Sequence, residues 1–171
     1  MTNTMAMFLY LLFQIFFIIC ITSYTPEDHF AVNCGSAGNS PSIDNREWTG
    51  DIDKREFFPI EDSNNKLSVG AKAPAGKAIP YSTARLSRSE FSYSFPVTDG
   101  QMFIHLYFYP SSYAVNFLRS DSLFSIRAGS HTLLKDFNAS FAADNAGQET
   151  ILREYCVNVS PDENLSLTIT P

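Results

Sequence analysis

The sequence predicts an all-β fold, an antiparallel β-sandwich of jelly-roll type, and three observations predict it. Short runs of alternating apolar and polar residues recur between positions 91 and 169, turn-forming residues separate them, and no stretch of ten residues keeps a helical period. Aromatic residues, mostly Phe and Tyr, make up 14% of the chain, a bias that suits pleated surfaces on which flat rings pack. With 171 residues, 44% of them hydrophobic, there is material for one domain with a real core and little for a second.

Residues 5–21 are apolar except for Gln14, and Thr22-Ser23 followed by Pro26-Glu27-Asp28 closes the run. They read as a secretory signal peptide cut near Ser23, so that 1–23 is leader and 24–171 is the domain. A retained membrane anchor is the alternative, because no positive charge precedes the run and it is just long enough to span a bilayer. Either way the rest of the chain is secreted or sits on the extracellular face of the plasma membrane.

Residues 29–33 form a short apolar strand that enters a loop, 34–41, with two glycines and a proline. Asp44-Asn45 is a tight turn, since Asn tolerates left-handed backbone. Trp48, the only tryptophan, follows among charges. Polar residues 62–66 and the Ala-, Gly-, Lys- and Pro-rich stretch 69–80 are surface connections. In 91–97, Phe91, Tyr93, Phe95 and Val97 alternate with Ser92, Ser94 and Pro96, which makes a half-buried strand.

Asp99-Gly100 is a turn of hairpin type, so 91–97 is expected to pair with the strand 101–109 that follows it. That strand is the densest aromatic run of the mature chain, with both faces apolar enough to be covered. Pro110 ends it, and Ser111-Ser112-Tyr113 is a surface loop. Residues 123–128 and 131–137 flank the turn Gly129-Ser130. Two final strands, 151–159 and 165–169, flank Pro161-Asp162-Glu163.

The chemistry is that of binding and not of catalysis. No HExxH, GxSxG, P-loop or GxGxxG pattern occurs, and His29, His105 and His131 are scattered. Asp44, Asp51 and Asp53 lack the spacing of an EF-hand, so neither a metal nor another cofactor is expected. Glu154 beside Arg153 is a surface ion pair; a wall-acting hydrolase built on Glu154 is the remote enzymatic reading. The net charge of −6 with no Lys/Arg cluster argues against a nucleic-acid partner. Trp48, Tyr81, Tyr107, Tyr109 and Tyr113 are the rings able to face a sugar or a peptide. Tyr107 and Tyr109 belong more naturally to the core, whereas Trp48 and Tyr113 stand in loops.

Two further features fit an oxidising compartment. Cys34 and Cys156 remain once Cys20 leaves with the leader, and they either form a disulfide or stand as two buried thiols. A bridge over so long a loop contributes roughly 4–5 kcal/mol in the loop-entropy model, less any native strain. Asn138-Ala139-Ser140, Asn158-Val159-Ser160 and Asn164-Leu165-Ser166 are N-glycosylation acceptors, the second weakened by Pro161.

Six separated motifs, in order along the mature chain, carry a family resemblance: Tyr24-Thr25-Pro26; Asn33-Cys34-Gly35-Ser36; Asp44-Asn45-Arg46-Glu47-Trp48-Thr49-Gly50-Asp51; Pro80-Tyr81-Ser82-Thr83-Ala84-Arg85; His105-Leu106-Tyr107-Phe108-Tyr109-Pro110; and Leu152-Arg153-Glu154-Tyr155-Cys156. The sequence resembles the first malectin-like domain of FERONIA-type plant receptor-like kinases, truncated. That resemblance implies a malectin-like sandwich that lacks its closing strand, and a non-catalytic recognition module, any kinase belonging to a full-length receptor. It also implies partners, namely cell-wall pectin or another oligosaccharide, or a secreted signalling peptide taken together with a lipid-anchored co-receptor. The alternative is a secreted, lectin-like protein that holds oligosaccharide through exposed aromatics. Tyr81 and Arg85 match the Tyr-x-Thr-x-Arg run that flanks the sugar site of animal malectin, although Leu86 replaces the tyrosine found there. Tyr113 falls near its sugar-contacting aromatic pair. Trp48, Tyr81, Arg85 and Tyr113 are thus the candidate ligand-binding residues.

Overall fold

A computed structural model describes residues 28–42, 45–52, 57, 60–61, 69–74, 76–113 and 117–171, together with Met5, Met7 and Tyr10. Those three apart, the expected leader or anchor lies outside the described residues, as do Asp44 and Asp53. Among the described residues no helix is long and apolar enough to cross a membrane.

The strands are β1 (Val32–Asn33), β2 (Asn39–Pro41), β3 (Glu47–Gly50), β4 (Ile60–Glu61), β5 (Val69–Lys72), β6 (Thr83–Leu86), β7 (Phe91–Phe95) and β8 (Gly100–Phe108). After a 3-10 turn at Arg119–Asp121 come β9 (Leu123–Ala128), β10 (His131–Asn138), a helix α1 (Ala139–Ala146), β11 (Ile151–Val159) and β12 (Leu165–Thr170). Five strands form one sheet in the order β10-β9-β12-β7-β4, and β11-β8 face it. Smaller sheets, β1-β3-β2 and β5-β6, complete the set.

Alternation in the sequence decides which side of each strand is buried. In β7, Phe91, Tyr93 and Phe95 are buried while Ser92 and Ser94 stay half-exposed. These rings join Ala128 and Leu167 of the same sheet, and they meet Ile104 of β8 and Val157 of β11 from the other. One core therefore lies between two sheets, as the period-2 pattern requires of a sandwich. Ser92 and Thr168, on the far side of the β7–β12 pair, share a hydrogen bond of 2.8 Å. Left-handed backbone appears at three of the expected turn positions. Asn45 has φ 60° and Asp162 φ 65°, and Gly129 sits between β9 and β10 with φ 54°.

The expected hairpin of 91–97 with 101–109 does not form. β7 pairs with β12 and β4, whereas β8 pairs with β11 along nine residues, from Gly100↔Val159 to Phe108↔Ile151. Strands 7 and 8 bury residues in the same core from opposite sides, so they must face each other and cannot also lie side by side. The link between them crosses from sheet to sheet, pinned where the Asp28 carboxylate accepts from the Thr98 amide at 2.5 Å and hydroxyl at 2.7 Å. Gly100, expected within a turn, is instead the first residue of β8.

Only one face of β8 is fully covered. Ile104 is buried, but Phe103 on the opposite face is 68% exposed, next to exposed His105. The strand expected at 29–33 shrinks to β1, two residues parallel to β3.

Helix α1 is absent from the strand pattern yet well capped. Asn138 Oδ1 accepts the Phe141 amide at 2.9 Å, and Gly147 closes the far end at φ 62°.

Candidate functional site

Trp48, expected in a loop, lies on a strand and is buried. The alternation of β3 turns it inward, where it is 6% exposed and meets Tyr107 edge-on at 5.7 Å. Tyr81 meets the same ring at 5.8 Å and is half-buried. Trp48, Tyr81 and Tyr107 thus cover one another over the second half of β8, and Lys77 lies 5.3 Å from the centre of the neighbouring Tyr109 ring. Charges beside Trp48 in sequence say nothing of this, because what buries it is a strand nearly sixty positions away. Its indole N–H has no acceptor among the described residues.

Arg85 is held within the fold through its Nε. Its Nε donates to Asp51 Oδ2 at 2.6 Å, with the two side chains 7% and 0% exposed. The same carboxylate accepts the Tyr93 hydroxyl at 2.7 Å and, through Oδ1, the Gly35 amide at 2.7 Å. Burial opposes the charge of Arg85, but the hydrogen bond and charge of Asp51 overcome it and raise the pKa of the guanidinium above its usual value. Burial likewise pushes Tyr93 well above an ordinary phenol. Asp51 is therefore the hub of a buried polar knot that ties the loop at Gly35 and strand β6 to β7. Beside it, Thr83 donates to buried Asn33 at 2.9 Å. Backbones run close here. A Cβ on Gly35, which has φ 78°, would lie 2.1 Å from the Ala84 carbonyl oxygen.

The structure does not join Cys34 to Cys156. The Cys34 thiol turns toward Tyr93 and Asp51, and burial, with the Asp51 charge, pushes it up to about 11. Cys156 lies on the exposed face of β11, opposite Phe103. The two thiols point into different environments, so the expected bridge gives way to two free thiols.

Tyr113 is half-buried, and its hydroxyl donates to the Tyr109 carbonyl at 2.8 Å. Burial and the neighbouring Tyr109 push its pKa up to about 12. The ring braces the loop after β8. Arg119 completes the brace, with Nε donating to the Pro110 carbonyl at 3.1 Å and Nη2 and Nη1 gripping the Asp144 carboxylate at 2.6 and 3.0 Å. That grip joins the loop to α1 beside a groove of about 530 Å³, lined in part by Ser112, Leu118, Asn138 and Phe141. Sequence reasoning missed this groove. The one available signal was an alanine-rich run, 139–146, between Asn138 and Gly147.

Among the described residues no cluster of His, Cys, Asp or Glu is arranged to hold a metal ion. Glu154 pairs with His105 at 3.4 Å on the exposed outer face. Asn158 and Asn164 are exposed and Asn138 is half-buried.

A malectin domain profile matches residues 29–169. Receptor-like protein kinase FERONIA of Arabidopsis thaliana is 40% identical over 157 residues, which are 90% of this chain and 17% of that protein. ANXUR1 of the same plant is 27% identical, over 92% of this chain and 19% of its own length. The crystal structure of FER superposes with a TM-score of 0.70 at 38% identity, covering 83% of this chain and 36% of that one. The crystal structure of RALF23 in complex with FER and LLG2 gives 0.71 at 35% identity, with 87% and 36% covered. The extracellular domain of ANXUR1 gives 0.73 at 28% identity, with 84% and 37% covered. The match falls on the malectin-like ectodomain of these receptors and not on their kinase domain. A two-sheet core, superposition on the solved ectodomains and a profile that matches residues 29–169 lead to one conclusion, that the chain belongs to the malectin domain family.

Proposed function

We propose that the chain is a non-catalytic extracellular recognition module that takes part in sensing a secreted signalling peptide together with a lipid-anchored co-receptor. The observation that carries this reading is the likeness, over 87% of the chain, to the receptor structure that contains RALF23, FER and LLG2. The internal geometry adds support. Trp48 and Arg85, two of the four candidate ligand-binding residues, are engaged in the core and in the Asp51 knot. Tyr113 is spent on bracing its loop. A peptide and a second protein need an extended surface rather than a sugar platform, and a two-layer sandwich offers one.

The test is titration of the chain, secreted from plant cells and shown to be folded, with RALF23 in the presence and absence of LLG2. Saturable binding that requires LLG2 is expected. Absence of any ternary signal overturns the reading. Saturable binding of pectin fragments without peptide would move it to the lectin-like alternative.

A further inference from the structure

The three glycosylation acceptors occupy different surroundings. Asn158 is exposed on the outer face of β11, and Asn164 is exposed just before β12. Asn138 instead forms one wall of the groove between the loop after β8 and helix α1. Its Oδ1 is engaged twice, by the Phe141 amide at 2.9 Å and the Ser140 hydroxyl at 2.7 Å, so the helix cap depends on that oxygen alone. The nitrogen Nδ2, the atom to which a sugar is joined, takes no part in the cap. Two large apolar residues share the groove and remain open to water, Phe141 at 67% and Leu118 at 49%. These apolar side chains, rimmed by Ser112 and the Arg119–Asp144 pair, offer a surface that a neighbouring group can cover. The apolar face of a sugar ring packs well on an aromatic ring, while its hydroxyls and acetamido group suit a polar rim.

We propose that Asn138 carries an N-linked glycan whose first residues lie in this groove, over Phe141 and Leu118. The inference rests on the extracellular reading above, because the glycan is added in the secretory pathway. Nδ2 of Asn138 attacks the anomeric carbon of a lipid-pyrophosphate-linked oligosaccharide. An N-glycosidic bond forms, the bond from that carbon to the phosphate oxygen breaks, Nδ2 loses one proton, and the lipid pyrophosphate leaves. Ser140, whose hydroxyl completes the acceptor motif, is buried in the fold. Transfer therefore precedes closure of α1, and the finished helix then sets the attached sugar against its own first turn.

The test uses the chain secreted from plant cells. Occupancy of each acceptor is read by peptide mass spectrometry after enzymatic release in heavy-oxygen water, and a second sample is trimmed to single N-acetylglucosamine residues for NMR. Asn138 is expected to be occupied. The acetyl methyl signal of its sugar is expected to shift upfield, under the ring current of Phe141, and to lose that shift in Phe141→Ala. That variant removes an exposed ring, and its far-ultraviolet circular dichroism verifies folding. Occupancy at Asn158 or Asn164 with none at Asn138 overturns the inference and leaves the extracellular reading standing. No occupancy at any of the three likewise overturns the inference alone, whereas a chain retained in the cytosol and never secreted overturns both. An occupied Asn138 whose acetyl signal matches that of a free glycopeptide overturns the seat in the groove.

Discussion

Two aspartate–arginine pairs, each 2.6 Å at its closest, sit in different surroundings. Asp51–Arg85 is enclosed at the junction of β6 and β7, whereas Arg119–Asp144 is 39% and 64% exposed beside the groove. Contact distance does not separate them; solvent does. In the enclosed pair each group has given up water, and each has become necessary to the other. In the exposed pair water competes for every hydrogen bond, and the contact orients a loop without holding up the fold.

The strongest way to break this contrast is Asp51→Ala. It removes the carboxylate that accepts from Arg85 Nε, the Tyr93 hydroxyl and the Gly35 amide, and should cost about 3–5 kcal/mol in urea unfolding. If it unfolds as easily as an exposed-pair variant, the knot is ornamental. Next comes Gly35→Ala. Left-handed backbone alone costs a residue with a Cβ about 1–2 kcal/mol. Gly129→Ala, with φ 54° and nothing within 4 Å of the added atom, should show only that cost. Gly35→Ala should exceed it because the new atom meets the Ala84 carbonyl.

A smaller effect follows from alkali. The Cys34 thiol, ordinarily near 9.0, holds its proton to about 11 in the fold, so above 9 the unfolded chain binds fewer protons than the native one. Stability from this group is complete below pH 9 and is lost as pH rises from 9 to 11. Thermal melts across that window should fall, and Cys34→Ala should flatten the fall. Smallest of all is Arg119→Ala, which should leave the melting temperature where it was while amide exchange in the loop between β8 and β9 speeds up. A large loss of stability there would erase the distinction between the two pairs.

Much of the fold was legible because period-2 alternation is written locally. β7, β8, β9, β11 and β12 all lie where their apolar residues alternate. What failed depended on partners distant in sequence. Asp99-Gly100 carries the same signal whether the chain reverses within a sheet or crosses to the next, and only the shared core of Phe95 and Ile104 decides between them. Trp48 has charged neighbours in sequence, yet Tyr107 packs against it. Arg85 sits in a motif that marks a sugar site elsewhere, but its carboxylate partner lies 34 positions earlier. The groove was illegible for a different reason. Its walls come from a loop and a helix of eight residues, too short to show a period.

The position of β12 governs how the domain can be made. It lies between β9 and β7 in the five-stranded sheet, so those two strands have no direct neighbour in one another. A ribosome delivers both long before it delivers residue 165. Until then β7 and β9 hold unpaired edges and their rings have an incomplete core, the state most open to wrong pairing. The nascent domain must wait for its middle, and folding should be slow and late rather than progressive along the chain.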